Sequence, residues 1–377
     1  MAVRSSALEN LDVVSTYMYN SQSSFWLDRK VLLTGHTGFK GSWLARWLLD
    51  LGADVTGFAL PPSTEPNLFV QLGLEQDLNH NVLDISCSSD VKDLVHECRP
   101  EFVFHLAAQP LVRVGYENPL ETWQANVGGT VNILEALRGL ENPCSAVMVT
   151  TDKVYQNNEW NYGYRECDPL GGHDPYSSSK AAAELAIASW RDSFCGTLTH
   201  QNRYLRIASA RAGNVIGGGD WSMNRIIPDA IRALKSDEDI YVRNPSSTRP
   251  WQHVLEPLDG YLSLARALHG SRLFTKAYNF GPSLKSNRTV ADLVNEILLH
   301  WPGRWTDSSD PSEPHEAGML NLVTDRAYHE LNWSPRWDFS KAVERTVRWY
   351  RQVEQQHASA LECCREDISA YQAASMP

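Results

Sequence analysis

Tyr176 and Lys180 stand four residues apart in Tyr176-Ser-Ser-Ser-Lys180, and the stretch runs on as Ala181-Ala-Ala-Glu-Leu-Ala186. Residues at that spacing share one face of a helix, so an ammonium stands beside a phenol. The pair suits proton transfer at an alcohol. A free phenol ionises near pH 10 and must drop roughly three units, about 4 kcal/mol, to act as a base at neutral pH. One unit charge at about 4 Å supplies roughly 4 kcal/mol at an effective dielectric of 20. The expectation is that Lys180 acidifies Tyr176.

A second motif gives the pair its context. Thr34-Gly-His-Thr-Gly-Phe-Lys-Gly41 lies between the apolar run Lys30-Val-Leu-Leu-Thr34 and a helical repeat of Trp43, Leu44, Trp47, Leu48 and Leu51. Gly35 permits a tight turn, Gly38 lets the backbone approach a pyrophosphate, and Gly41 lets the helix pack closely on the strand. The helix N-terminus faces the anion. Thr37, Phe39 and Lys40 complete a dinucleotide loop. NAD is the expected cofactor, because Gly57-Phe-Ala-Leu-Pro-Pro62 carries no arginine for a 2′-phosphate, although it lacks the usual ribose-binding acid too. Lys40 is the one nearby cation to set against that choice. Asp84-Ile85, at the end of a third strand, is a partner for the adenine amine or else a loop cap.

These residues need a sheet to carry them. Further apolar runs occur at Asp54–Leu60, Asn81–Ile85, Phe102–Ala107, Ala146–Thr150 and Leu205–Arg211, with helical patterns such as Val91–Arg99 and Gly129–Leu140 between them. Alternation of this kind predicts an α/β fold, a parallel sheet with helices on both faces. After Asn214 the texture becomes loop-rich, and Ala277-Tyr-Asn-Phe-Gly281 reads as a late strand returning to the sheet. The expected organisation is a polar extension over 1–24 and a dinucleotide-binding domain over 25–214, rejoined by 251–282. A substrate lobe follows from 215–250 and 283–355, with a tail over 356–377; the polar stretch from about Gln352 reads as a terminal helix or a loose tail.

Composition narrows the functional class. The 377 residues carry a net charge of −11, which disfavours general nucleic-acid or membrane-surface binding. The seven cysteines are scattered without a C-x-x-C, so neither a disulfide framework nor a metal site is expected and a reducing compartment fits. There is no membrane-length apolar run and no secretory h-region in 1–24. The cytoplasm is the default.

The sequence resembles the extended short-chain dehydrogenases from about Phe25 to Trp349, through Leu106-Ala-Ala-Gln109, Asn126-Val-Gly-Gly-Thr130 and Thr150-Thr-Asp-Lys153. Within that superfamily it is most similar to the CDP-glucose 4,6-dehydratases. Phe25-Trp26, Thr34–Trp43, Ala107–Arg113, Ala212–Trp221 and Arg249–Pro257 carry that likeness. The resemblance implies a Rossmann-type doubly wound parallel sheet with a smaller C-terminal substrate lobe. It also implies NAD-dependent dehydration of CDP-glucose to the 4-keto-6-deoxy sugar by a lyase that is a homodimer or homotetramer. Tyr176, with Lys180 and Thr151, would open the reaction at C4, and Asp152 would protonate the departing C6 hydroxyl. Lys153 stands where sister dehydratases carry Glu, and is either the C5 base or a fixed cation. Leu106, Ala107 and Ala108 would line the cofactor.

For the substrate, Arg225 and Arg249 suit a pyrophosphate, since arginine is permanently charged and bidentate toward phosphate. Asn214, Gln109, Arg113 and Asn126 are further candidates, and His253 is as readily a core residue as a ligand. His315-Glu316 matches the family without an obvious role. A nucleotide-sugar 4-epimerase, or a dehydratase for another sugar nucleotide, is the alternative; Asp152 argues against epimerisation, which needs no acid for a leaving hydroxyl.

Overall fold

The computed structural model describes residues 24–309 and 319–375. Nearly all of the N-terminal extension and the whole of His315-Glu316 lie outside the described residues. Seven strands build the central sheet: β1 (Lys30–Thr34), β2 (Asp54–Ala59), β3 (Asn79–Val82), β4 (Phe102–His105), β5 (Cys144–Val149), β6 (Leu205–Ala212) and β7 (Ala277–Phe280). Their order is β7-β6-β5-β4-β1-β2-β3, and every pairing is parallel. The order reverses beside β1, and in sheets of this kind ligands bind beyond the strand ends at that point.

Side chains alternate along each strand, so the inner strands serve two cores. Val31 and Leu33 of β1 join a cluster with Trp43 and Trp47 of helix α1 (Phe39–Asp50). Leu32 points to the opposite face, among Val91 and Leu94 of α2 (Ser88–Cys98), Ile133 and Leu137 of α3 (Gly129–Arg138), and Ile187 of α4 (Pro175–Phe194). Helix α1 stops at Gly52, whose φ of +85° is a left-handed conformation that favours glycine. Helix α4 starts on a capping box: Asp174 accepts from the Ser177 amide, Ser177 closes back on Asp174, and Pro175 fills the first turn. That cap places Tyr176 in the first turn of α4.

The remaining chain adds α5 (Ile226–Lys235), α6 (Leu255–Gly270), α7 (Val290–His300) and α8 (Phe339–Gln355), with three two-stranded ladders between them. Ile227 and Ile231 of α5, Leu293 and Ile297 of α7, and Val343 and Val347 of α8 belong to the same apolar cluster as β1 and α1. The lobe therefore shares its core with the sheet.

One expectation needs correction. The third strand ends at Val82, so Asp84-Ile85 sits in the loop that leads into α2 rather than at a strand end. Of the two readings open for the end of the chain, a helix is observed: α9 (Ala360–Ala373) buries Cys363, Cys364, Ile368 and Tyr371. Its composition is polar overall, yet this apolar face covers α1 and α8, with the Tyr371 ring edge-on to Trp47 and Trp337. Among the described residues no helix is long and apolar enough to cross a membrane.

Candidate active site

The three glycines of the loop after β1 answer to three different constraints. Gly35 has φ +74°, and a Cβ on it would stand 2.8 Å from the Ala107 nitrogen. A Cβ on Gly41 would collide with the Gly35 carbonyl oxygen, so the helix start lies against the turn. A Cβ on Gly38 would meet only that same oxygen within 4 Å, at 3.4 Å, and otherwise open space. Gly38 is also the N-cap of α1, with no side chain competing for the first N–H groups of the helix. A positive helix end, uncapped and open above Gly38, fits a dinucleotide pyrophosphate.

Neighbouring candidates divide between that loop and its support. Thr37 ties the loop to the end of β2 through a 2.9 Å bond from its hydroxyl to the Leu60 carbonyl. The Phe39 ring packs over Gly217. Leu106 and Ala107 donate their N–H groups to the Thr34 hydroxyl, at 3.1 and 3.0 Å, while Ala108 is half-buried beside them. With its oxygen accepting twice, the Thr34 hydroxyl donates to Nδ1 of His105, and Nε2 of His105 donates to Thr130. Burial, and then the charge of Lys180, push His105 down to about 3, so it is a neutral strut. Of the two uses open to Asp84, the loop cap is observed: its carboxylate accepts from the Ser86 amide at 2.8 Å. Ile85 packs against Gly129, which has no room for a Cβ.

Lys40 departs most from expectation. It does not stand at the end of β2 where a 2′-phosphate would lie. It turns under α1 into the protein, 3.4 Å from the Tyr261 hydroxyl of α6 and close enough to Asp152 and Lys180 for their charges to act on it. Burial pulls its ammonium down to about 8, with Asp152 opposing.

The candidate reacting groups converge where β5 and β6 end. Thr151 and Asp152 follow β5, Asp152 opens a short 3₁₀ turn over Asp152–Val154, and the Thr151 hydroxyl donates to the Asp152 carboxylate at 3.0 Å. Asp152 is buried, and Gly213 makes its position possible: a Cβ there would stand 2.5 Å from Oδ2. Burial raises the Asp152 carboxyl above its ordinary range, against the pull of Lys153, the Thr151 hydroxyl, Arg249 and Lys40. Lys153 is half-buried on the same turn.

Tyr176 and Lys180 are both buried on α4, and here the sequence argument for acidification needs correction. Burial drives the phenol up to about 12, with Thr151 and Arg225 opposing and Asp152 adding to the rise. Burial likewise lowers Lys180 to about 8, and its ammonium donates to the Val149 carbonyl at 3.3 Å. Desolvation is the largest influence on both groups and disfavours the charged form of each.

The proposed substrate residues are not one cluster. Arg225 is held by Asp220 at 2.9 Å and acts on Tyr176, which brings it to the reacting centre. Arg249 lies on the ladder strand Thr248–Pro250, within electrostatic reach of Asp152. Asn214 is half-buried directly after Gly213, and Arg113 is exposed on the short helix Val112–Glu117. Asn126 and Gln109 serve the scaffold. Asn126 lies in a π-helical turn and donates to the Gln109 carbonyl and to Ser179 of α4, while the Gln109 amide bonds Thr122 and Leu111. His253 is a core residue. It is fully buried between Trp43 and Trp337, accepts from the Leu255 amide, and is pushed down to about 3 by burial.

Four participants escaped sequence reasoning. Tyr261 carries no local motif, and Asp220 lies in the Ala212–Trp221 stretch without having been singled out. Gly213 has one only in retrospect, as a glycine directly after a strand. Glu184 extends the Tyr176–Lys180 spacing by one further turn, a signal that was present in the chain.

The family model described as GDP-mannose 4,6 dehydratase matches residues 32–346. The chain is 42% identical over 356 residues to a CDP-glucose 4,6-dehydratase of Salmonella typhimurium, covering 93% of this chain and 98% of that one. It is 34% identical to a CDP-paratose 2-epimerase of Salmonella typhi, covering 85% and 98%. A dTDP-glucose 4,6-dehydratase of Streptomyces venezuelae, solved with NAD bound, shares the fold at a TM-score of 0.72 and 22% identity, covering 88% of this chain and 99% of that one. With a family model spanning most of its length and a relative this similar from end to end, the chain belongs to the GDP-mannose 4,6 dehydratase family.

Proposed function

We propose that the protein is a lyase that dehydrates CDP-glucose to CDP-4-keto-6-deoxyglucose. The observation that carries this reading is the buried Asp152 carboxyl, kept toward its protonated form by desolvation and placed beside Thr151, on the turn that carries Lys153. Loss of a C6 hydroxyl as water needs such an acid, and 4-epimerisation does not. The 42% identity to the Salmonella typhimurium enzyme supports CDP-glucose as the substrate.

NAD, when bound, would accept hydride from C4 and return it to C6. Gly35, Gly38 and the first turn of α1 would hold its pyrophosphate. The inward course of Lys40 supports NAD over NADP, since that cation does not serve the β2 end. Tyr176 would take the proton of the 4-hydroxyl through Thr151 in its ionised form, which Thr151 and Arg225 favour against burial. Asp152 would then hand its proton to the C6 hydroxyl as the C5 proton is removed on the Lys153 side. Homodimeric or homotetrameric assembly in the cytoplasm belongs to the same reading; sedimentation velocity on the purified chain tests the first.

The test is incubation with NAD and, separately, CDP-, UDP- and dTDP-glucose and GDP-mannose. The expected result is a product lighter by one water from CDP-glucose, with the ultraviolet absorbance of a 4-keto sugar in base. A product of unchanged mass, or no turnover on any of the four, would refute the reading.

A further inference from the structure

Helix α4 carries a buried acid that the reaction above does not use. Glu184 lies one turn beyond Lys180, on the same face, and is 3% exposed. Thr150 of the β5 end donates to its Oε1 at 2.5 Å, and Ser209 of β6 donates to its Oε2 at 2.8 Å. Arg211, two residues further along β6, reaches the same Oε2 at 2.7 Å. Arg211 is itself fixed by the Tyr155 hydroxyl at 2.9 Å, and that hydroxyl donates to Asn279 of β7 at 2.6 Å.

Lys180 donates to the carbonyl of Val149, and Glu184 accepts from the next residue, Thr150. Two successive turns of α4 thus grip two successive residues of β5, immediately before Thr151 and Asp152. Through Ser209 and Arg211 the same carboxylate holds β6 just before Gly213, the residue that leaves room for Asp152.

We propose that Glu184 is a positioning residue: it registers the catalytic helix against the two strand ends that carry the reacting groups, and it supplies the negative charge that Lys180 faces inside the protein. Lys180 is surrounded by Tyr176 and Glu184 on its own helix, by Lys40 from α1, by His105 from β4 and by the Val149 carbonyl from β5. Tyr176 and His105 are driven neutral by burial, and Lys40 is a like charge. Glu184 is the group that favours the ammonium. Burial opposes the ionisation of Glu184, yet the Arg211 guanidinium and the Thr150 and Ser209 hydroxyls hold it below the usual carboxylate range.

Removing only one partner would leave Arg211 as an unpaired buried charge and risk unfolding. The test therefore pairs the double variant E184Q/R211Q, which removes both charges, with E184D, which keeps them. The ionisation of Lys180 is read by competitive trace acetylation against pH with mass spectrometry of the Lys180 peptide, a measurement that needs no turnover. It is read again from the alkaline limb of the pH–rate profile, which rests on the dehydratase reading. In E184Q/R211Q both midpoints should fall by about one pH unit, the usual effect of losing an opposite charge at this range. E184D should keep the parent midpoint while losing rate through its shorter reach. An unmoved acetylation midpoint in the folded double variant overturns the proposal, and so does an equal shift in E184D. Absence of turnover in the parent would count against the dehydratase reading alone, since acetylation still decides the role of Glu184.

Discussion

The space that Gly213 leaves for Asp152 gives a sharp handle on the proposed acid. Gly213 is not among the glycines with positive φ, so alanine is acceptable to the backbone and only the added methyl matters. That methyl would lie 2.5 Å from Oδ2 and 3.1 Å from Cγ of Asp152, where ordinary contact begins at 3.4 Å. The carboxyl must retreat by about 0.9 Å, and a misplacement of that order costs ~100-fold in rate when it falls on a reacting group. Overpacking at a buried site costs about 1–3 kcal/mol of stability, which a chain of this size tolerates. Gly213→Ala should therefore fold, bind the dinucleotide as the parent does, and form the 4-keto product from CDP-glucose ~100-fold more slowly. Combining it with Asp152→Asn should add little to the loss from Asp152→Asn alone, because both act on one group. Turnover of Gly213→Ala within about threefold of the parent would refute the placement of Asp152 at the reacting centre.

Gly38 and Gly41 should separate cofactor binding from folding. Gly38→Ala is expected to keep the parent melting temperature and lose at least ~10-fold in dinucleotide affinity by fluorescence titration, about 1.4 kcal/mol, whereas Gly41→Ala should fail to fold to the parent circular dichroism. Lys153→Ala should retain C4 oxidation while abolishing exchange of the C5 hydrogen with deuterated solvent; exchange at the parent rate removes Lys153 from the mechanism. Glu256 should make stability fall with rising pH. Burial pushes its carboxyl up to about 7, against bonds from Tyr371 and from the Trp337 and Arg336 amides. The folded chain thus holds a proton that the unfolded chain releases near pH 4.3. Stability from this group is complete below that value and is lost as pH climbs toward 7. Glu256→Gln should flatten this part of a urea-denaturation profile and gain about 3–4 kcal/mol at pH 8; an unchanged slope would count against the buried acid.

Local spacing carried the parts of the site that were legible in the chain. Gly35 makes the tight turn and Gly41 the close packing that their positions implied, and Tyr176 and Lys180 share α4 because four residues make one turn. The strands were readable where short apolar runs ended in polar loops, including the late return of Ala277–Phe280 to the edge of the sheet. What escaped depends on residues distant in sequence. The inward turn of Lys40 depends on Tyr261, 221 positions later. The core role of His253 depends on Trp43 and Trp337. The state of Tyr176 is set by how much protein surrounds it, which no spacing rule reports. Charge pairing could be inferred from adjacency, but the desolvation that overrides it could not.

Helix α9 has a bearing on how the chain is made. Trp47, on the helix that starts at the glycine loop, receives part of its apolar cover from Tyr371, 324 positions later in the sequence. At about 5–20 residues per second of synthesis, the nucleotide-holding half waits roughly a quarter of a minute to a minute for that cover to emerge. During this interval the flank of Trp47 is open to chaperones. A nascent chain stalled before Ala360 should therefore hold the glycine loop less firmly than the released protein does.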